Sequence, residues 1–167
     1  MKITMIAGSN REGAVSTQLL LYIERLLNAQ DISVTLVNLR ELNLPIYSPD
    51  IQQLHPNVQY LLEKAAGADG LIFATPEYHG SISGIMKNAL DYLSTQVSGK
   101  AVLSVSSAGG PMGISSLSHL QSIIRNLHGV NSPDWISIGA GSNSFGSDRT
   151  PLDKGMKERI EDATGAF

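Results

Sequence analysis

The chain has 167 residues, of which 42% are hydrophobic and 16% are charged, and its formal net charge is −3. This length suits one domain covering residues 1–167. The composition excludes a disordered or collagen-like chain, and the absence of a Lys/Arg cluster excludes a nucleic-acid partner. Cysteine is absent, which excludes disulfides and cysteine nucleophiles, so any redox chemistry must belong to a bound cofactor.

The N-terminus has the pattern of a strand and not of a signal peptide, in which a charged segment precedes an apolar one. No apolar run approaches the ~18 residues that a membrane span requires. We therefore expect a cytoplasmic protein with no membrane partner.

The first strand pattern, residues 3–7, runs into a first loop of sequence Gly8-Ser-Asn-Arg-Glu-Gly-Ala-Val-Ser-Thr17, where a helical pattern begins. Backbone N–H groups at a helix start, hydroxyls and a guanidinium all favour a bound anion such as a phosphate. The same composition also suits a simple tight turn, so the first loop needs support from a second site feature.

Strand patterns recur at residues 33–38, 70–75, 101–106 and 135–138, with apolar positions at helical spacing between them. Residues 39–56 form the longest irregular connection. A last helix is predicted with Thr150 as its N-cap and Pro151 at its first position. Alternating strands and helices predict an α/β flavodoxin-like three-layer sandwich, with a five-stranded parallel sheet of order 2-1-3-4-5 and helices on both faces.

A second loop (residues 75–80) follows the third strand, with the sequence Thr75-Pro-Glu-Tyr-His-Gly80, and leads into another helix. In the predicted strand order, the first and third strands flank the switch point, outside whose carboxyl ends ligands bind. Both loops project from this point. Together they indicate a cofactor site.

Two motifs, Gly8-Ser9-Asn10-Arg11 and Pro76-Glu77-Tyr78 followed by Gly84, Lys87, Asn88, Asp91 and Leu93, resemble the NAD(P)H-dependent FMN reductase family. This flavodoxin-like group includes azobenzene, quinone and chromate reductases, and the resemblance covers nearly the whole chain. It implies that FMN is the cofactor and that its phosphate is held by Ser9, Arg11, Ser16 and Thr17. It further implies that the flavin ring is lined by Pro76, Glu77, Tyr78, His79 and Gly80, and on its other side by a third loop, Ser106, Ser107, Ala108, Gly109 and Gly110. One departure is Ala14, where many members carry a serine.

The resemblance implies an NAD(P)H-dependent FMN-containing oxidoreductase with ping-pong kinetics. NADPH or NADH would supply hydride, and a quinone, azo compound, free flavin or similar small molecule would be the electron acceptor. A homodimer or homotetramer is also implied, with Ile82, Ile85 and Tyr92 expected to leave apolar surface near the site. No catalytic side chain is required, because the flavin carries the chemistry. The histidine spacing predicts no metal site.

Two other functions stay open, a flavodoxin-type electron carrier and a flavin-binding sensor without NAD(P)H turnover. The mild charge of −3 argues against a carrier. Glu77 is expected to orient its loop by accepting backbone N–H bonds, and Tyr78 to stack near the ring. His79 is either a proton donor or a residue facing solvent or another subunit. Asn88 is expected to tie its helix to a neighbouring loop.

Overall fold

The computed structural model describes residues 1–167, which form six strands and five helices. In chain order these are β1 (Lys2–Ala7), α1 (Val15–Asn28), β2 (Ser33–Asn38), α2 (Pro56–Ala66), β3 (Gly70–Tyr78), β4 (Ser81–Ile82), α3 (Gly84–Tyr92), β5 (Ala101–Ser107), α4 (Ile114–Asn126), β6 (Val130–Ile138) and α5 (Lys154–Ala166).

The sheet has the order β2-β1-β3-β5-β6, and every neighbouring pair along it is parallel. Because β4 pairs only with β3, this is the predicted order 2-1-3-4-5 of the main strands. The flavodoxin-like fold prediction is confirmed. None of the helices combines the length and hydropathy that a membrane crossing needs.

Two apolar cores cover the two faces of the sheet. Alternate residues of β3 serve opposite faces, so that Phe73 packs with α2, α3 and α4 while Ile72 packs with α1 and α5. Such double burial explains why the strands are continuous apolar runs. The helices thus hold the sheet rigid on both sides, while its carboxyl edge carries the loops.

A short hairpin extends the third strand beyond its predicted end. Glu77 and Tyr78 pair antiparallel with Ile82 and Ser81, through a turn in which His79 and Gly80 both have positive φ, 52° and 73°. Two left-handed residues in succession are typical of a type I′ hairpin turn. β4 was not predicted from the sequence.

The last helix begins later than predicted, so the Thr150 cap is wrong. α5 starts at Lys154, and the side chain of Asp153 caps it by accepting a hydrogen bond from Met156 N at 2.7 Å. Thr150 cannot serve as a cap because its hydroxyl is engaged by the Arg25 guanidinium at 2.7 Å and by the Asp148 carboxylate. Pro151 instead forms a β-bridge with Phe145.

Asn88 fastens the long connection after β2 onto α3, as predicted. Its side-chain oxygen accepts from Tyr47 N at 2.8 Å, and its amide donates to Pro45 O at 2.9 Å. The expected apolar surface is wrong for Ile82 and Tyr92, which are only 8% and 9% exposed. Ile82 packs into the core under the β4 hairpin, and the Tyr92 hydroxyl donates to Pro45 O.

Candidate functional site

The loops after β1, β3 and β5 meet at the carboxyl edge of the sheet around a cleft of about 330 Å³. We call it the carboxyl-edge cleft. Among the residues predicted for the cofactor, the lining contains Ser9, Arg11, Pro76, Glu77, Tyr78, Ser107, Ala108 and Gly109. Ala14, Val15 and Asn143 complete it. Ser16, Thr17, His79, Gly80, Ser106 and Gly110 do not line this cleft.

The first loop presents free hydrogen-bond donors next to a cation. Ala14 is the N-cap of α1 and provides no side-chain hydrogen bond to the helix start. The buried Ser9 hydroxyl accepts from Arg11 N at 3.2 Å, while the exposed Arg11 side chain has no carboxylate partner. Uncapped N–H groups, the positive end of α1 and an unpaired guanidinium together form a suitable environment for an anion.

Ser16 in the first turn of α1 carries an unusual polar atom. The residue is 0% exposed, and its Oγ has no hydrogen-bond partner. Leaving a buried hydroxyl unpaired costs about 1–3 kcal/mol. Thr17 lies beside it and is half-buried. A hydroxyl without a partner at the same helix end as Arg11 fits a group that needs several donors, such as a phosphate.

Glu77 connects the second loop to α4. Its Oε2 accepts a hydrogen bond from Ser116 N at 2.8 Å, in the first turn of a helix whose N-cap, Gly113, has no side chain. The carboxylate therefore orients backbone, as the sequence analysis expected. Tyr78 lines the cleft with 44% of its surface exposed. His79 occupies the hairpin turn, where it is exposed to solvent, and it does not line the cleft.

Hydrogen bonds from buried serines hold the third loop in place. Ser106 does not face the cleft: its hydroxyl donates to Gly113 O at 2.8 Å and lies 3.2 Å from Ser137 Oγ. Ser137 in turn accepts from Gly113 N at 2.7 Å. Gly110 is tied by its carbonyl to Ala140 N at 2.8 Å. Ser107, Ala108 and Gly109 are left as the wall of the cleft.

Two residues near the cleft were not predicted. Asn143 lines it from the segment after β6, which no local motif marks. Ser83 is buried between the first two loops, and its backbone N–H donates to Thr75 Oγ1 at 3.0 Å. A serine followed by a helical apolar pattern is an N-cap signal, and Ser83 does cap α3.

The largest pKa shift lies between α1 and α5. Burial, then a hydrogen bond to Glu161, raises the pKa of Tyr22 to about 12. The same hydrogen bond, together with one from Lys157, lowers the pKa of Glu161. This pair joins two helices on one face of the sheet and is not part of the cleft lining.

Solved structures with the same fold include a flavoenzyme and a flavodoxin. FerB, a flavoenzyme NAD(P)H:(acceptor) oxidoreductase from Paracoccus denitrificans, has a TM-score of 0.85 at 20% identity, covering 99% of this chain and 94% of that chain. A flavodoxin from Streptococcus pneumonia TIGR4 has a TM-score of 0.68 at 12% identity, covering 99% and 96%. These likenesses show the fold alone.

Sequence relatives are more specific. An FMN-dependent NADPH-azoreductase of Staphylococcus haemolyticus (strain JCSC1435) is 34% identical over 161 residues, which cover 93% of this chain and 82% of the relative. One from Staphylococcus aureus (strain USA300) is 36% identical over 143 residues, covering 82% and 76%. The pattern of the family described as NADPH-dependent FMN reductase matches residues 1–143. The predicted family is therefore confirmed, and the chain belongs to the NADPH-dependent FMN reductases, a family of oxidoreductases.

Proposed function

We propose that this protein holds FMN in the carboxyl-edge cleft and transfers hydride from NADPH or NADH to a small electron acceptor by ping-pong kinetics. The observation that carries the proposal is the convergence of an anion-binding helix start with a cleft walled by backbone and apolar groups. Cofactor pockets are typically apolar with a few placed polar groups. Bound FMN would supply the hydride chemistry itself.

The first loop would hold the phosphate of FMN. Arg11 is free of carboxylate partners and so keeps its guanidinium available for phosphate oxygens. Ser9 and Thr17 offer hydroxyls in the same region, and Ser16 has an unpaired one. Ala14 contributes no hydroxyl, which makes the contribution of Ser16 more important.

The second and third loops would flank the flavin ring. Pro76, Tyr78 and Ala108 provide flat or small apolar surface, and nothing lies within 4 Å of a Cβ built on Gly109, so its backbone is open to close approach. Glu77 acts on this wall indirectly, since its carboxylate is engaged with Ser116 N. His79, Gly80, Ser106 and Gly110 support the turns that carry the wall. No side chain of the chain acts as an acid or base in this scheme.

The acceptor is a quinone, an azo compound, a free flavin or a similar small molecule. The name of the staphylococcal relatives supports an azo compound and NADPH for this chain as well. We place the protein in the cytoplasm, where NADPH is regenerated.

We further propose that the chain forms a homodimer or homotetramer. The support is exposed apolar surface on the connection after β2, where Ile46 is 83% and Leu54 49% exposed. Light scattering checks this directly, and a monomer at micromolar concentration contradicts it.

Initial-rate kinetics test the reaction scheme. The FMN-loaded protein is assayed at several fixed NADPH concentrations while an azo dye or a quinone is varied. We expect parallel double-reciprocal lines, because donor and acceptor use the same cleft in turn. Intersecting lines would mean that both substrates bind together, and that result would contradict the scheme.

A further inference from the structure

Ser83 connects the first and second loops through a single buried hydroxyl. The residue is 3% exposed. Its Oγ donates to Gly8 O and accepts from Met86 N at 3.1 Å, so that one hydroxyl both links two loops and caps α3. A serine hydroxyl can donate one hydrogen bond, and the Ser83 hydroxyl donates it to the first loop.

The contact fixes the point where the first loop leaves β1. Gly8 N donates to Ala74 O at 2.8 Å, and its carbonyl accepts from Ser83, so both backbone polar groups of Gly8 are held by β3 and by the N-cap of α3. Met86 presses on the same glycine, since a Cβ built there would lie 2.6 Å from Met86 Cε. The next residue is Ser9, whose hydroxyl accepts from Arg11 N.

Thr75 completes the link on the side of the second loop. Its Oγ1 accepts from Ser83 N at 3.0 Å and donates to Pro76 O at 2.9 Å, and the residue is fully buried. A continuous set of hydrogen bonds therefore runs from Pro76, which lines the ring side of the cleft, to Gly8, next to the phosphate side. Buried networks that are fully paired hold their members in one arrangement.

We infer that Ser83 is a positioning residue that sets the phosphate-binding half of the site relative to the ring-binding half. The inference rests on the proposed FMN site. Its consequence is specific: loss of the Ser83 hydroxyl should weaken recognition of the phosphate more than recognition of the flavin ring. A residue that merely stabilised the fold would change the binding of FMN and riboflavin equally.

The test compares the Kd values of FMN and of riboflavin, which lacks the phosphate, by quenching of flavin fluorescence. In Ser83→Ala we expect the Kd of FMN to rise roughly tenfold more than that of riboflavin, because phosphate contacts are charge-assisted. Ser83→Thr keeps the hydroxyl and should restore the wild-type ratio of the two constants. Equal rises for both flavins, or no rise, would overturn the inference.

Two further variants separate positioning from stability. Asp153→Ala removes the N-cap of α5, a cap of the same kind without any link to the first loop, and should lower the melting temperature while leaving the ratio unchanged. Thr75→Val removes the partner of Ser83 N and should shift the ratio in the same direction as Ser83→Ala. If Ser83→Ala does not fold, an unchanged ratio in Thr75→Val overturns the inference. Wild-type protein that binds neither flavin would remove the proposed function, and this inference with it.

Discussion

Replacing Ser16 by alanine should change stability and FMN affinity in opposite senses. In the ligand-free chain the Ser16 hydroxyl is buried and unpaired. Removing such a group relieves a cost of about 1–3 kcal/mol. For a domain of this size, a gain of about 1 kcal/mol raises the melting temperature by about 2–4 °C. We therefore expect ligand-free Ser16→Ala to melt at least that much higher than the wild type.

Ser16 does not line the ligand-free cleft, so we propose that FMN binding turns the same hydroxyl towards the phosphate, to which it then donates. A hydrogen bond to a charged group contributes about 1.5–3 kcal/mol, so its loss should raise the Kd of FMN about 10- to 100-fold. Riboflavin has no phosphate, and its Kd should stay within about threefold of the wild-type value. Thermal melts of the ligand-free protein and fluorescence titrations with both flavins measure the two effects separately.

Ser104 provides a matched control. It is also buried with an unpaired hydroxyl, but it lies in the interior of β5, three residues before Ser107 and so about 10 Å from the cleft wall. Ser104→Ala should raise the melting temperature without changing the Kd of FMN. If Ser16→Ala behaves like Ser104→Ala in both assays, or if it melts lower than the wild type, the reasoning about Ser16 is refuted.

Three other substitutions probe the first loop and the α1–α5 contact. Arg11→Ala should raise the Kd of FMN about 10- to 100-fold and leave that of riboflavin nearly unchanged; an unchanged Kd of FMN would mean that the phosphate binds elsewhere. Gly8→Ala should lower the free energy of unfolding in urea by about 1–3 kcal/mol, because the new Cβ would lie 2.6 Å from Met86 Cε and 3.0 Å from Ala74 O; an unshifted midpoint would contradict this. Because the fold raises the pKa of Tyr22 from 10.0 to about 12, its stability contribution is present below pH 10 and is lost as the pH rises through that interval. Ultraviolet titration should show a phenol near pH 12 that is missing in Tyr22→Phe. Burial also raises the pKa of Tyr92, so the assignment is refuted if Tyr22→Phe keeps every late phenol of the wild type.

The five parallel strands could be predicted because each has a strand-like apolar pattern in its own sequence. β1 and β3 are mostly apolar and are buried at most positions, which is the pattern of strands covered on both faces. The predicted strand order places β1 and β3 side by side. It therefore predicted that the first and second loops lie close together. The residues that the family resemblance implied for the cofactor include eight of the eleven that line the cleft.

The side-chain directions at the end of β5 could not be predicted. Ser106 and Ser107 are neighbours of the same type, and successive side chains of a strand point to opposite faces. The structure turns Ser106 towards Gly113 and Ser137 and leaves Ser107 at the cleft. Which of the two faces the cleft depends on the register with β6, which the sequence does not mark.

The remaining differences between the prediction and the structure have three separate causes. Thr150 and Asp153 are both good N-cap residues, but the Thr150 hydroxyl is engaged by Arg25, more than a hundred residues away, and by Asp148. The β4 hairpin was missed because its turn places His79, not the usual asparagine, in the left-handed region. Asn143 reaches the cleft from a segment with no regular structure, which local patterns do not describe.

The most direct test of the central claim is the visible absorption spectrum of the protein after FMN is added and the excess removed. The spectrum is recorded without oxygen, before and after NADPH, and in a second sample before and after NADH. We expect a retained flavin band that bleaches within seconds and returns when a quinone or an azo dye is added. A retained band that neither nucleotide bleaches would instead indicate a carrier or a sensor, and a protein that retains no flavin would contradict the proposed cofactor site.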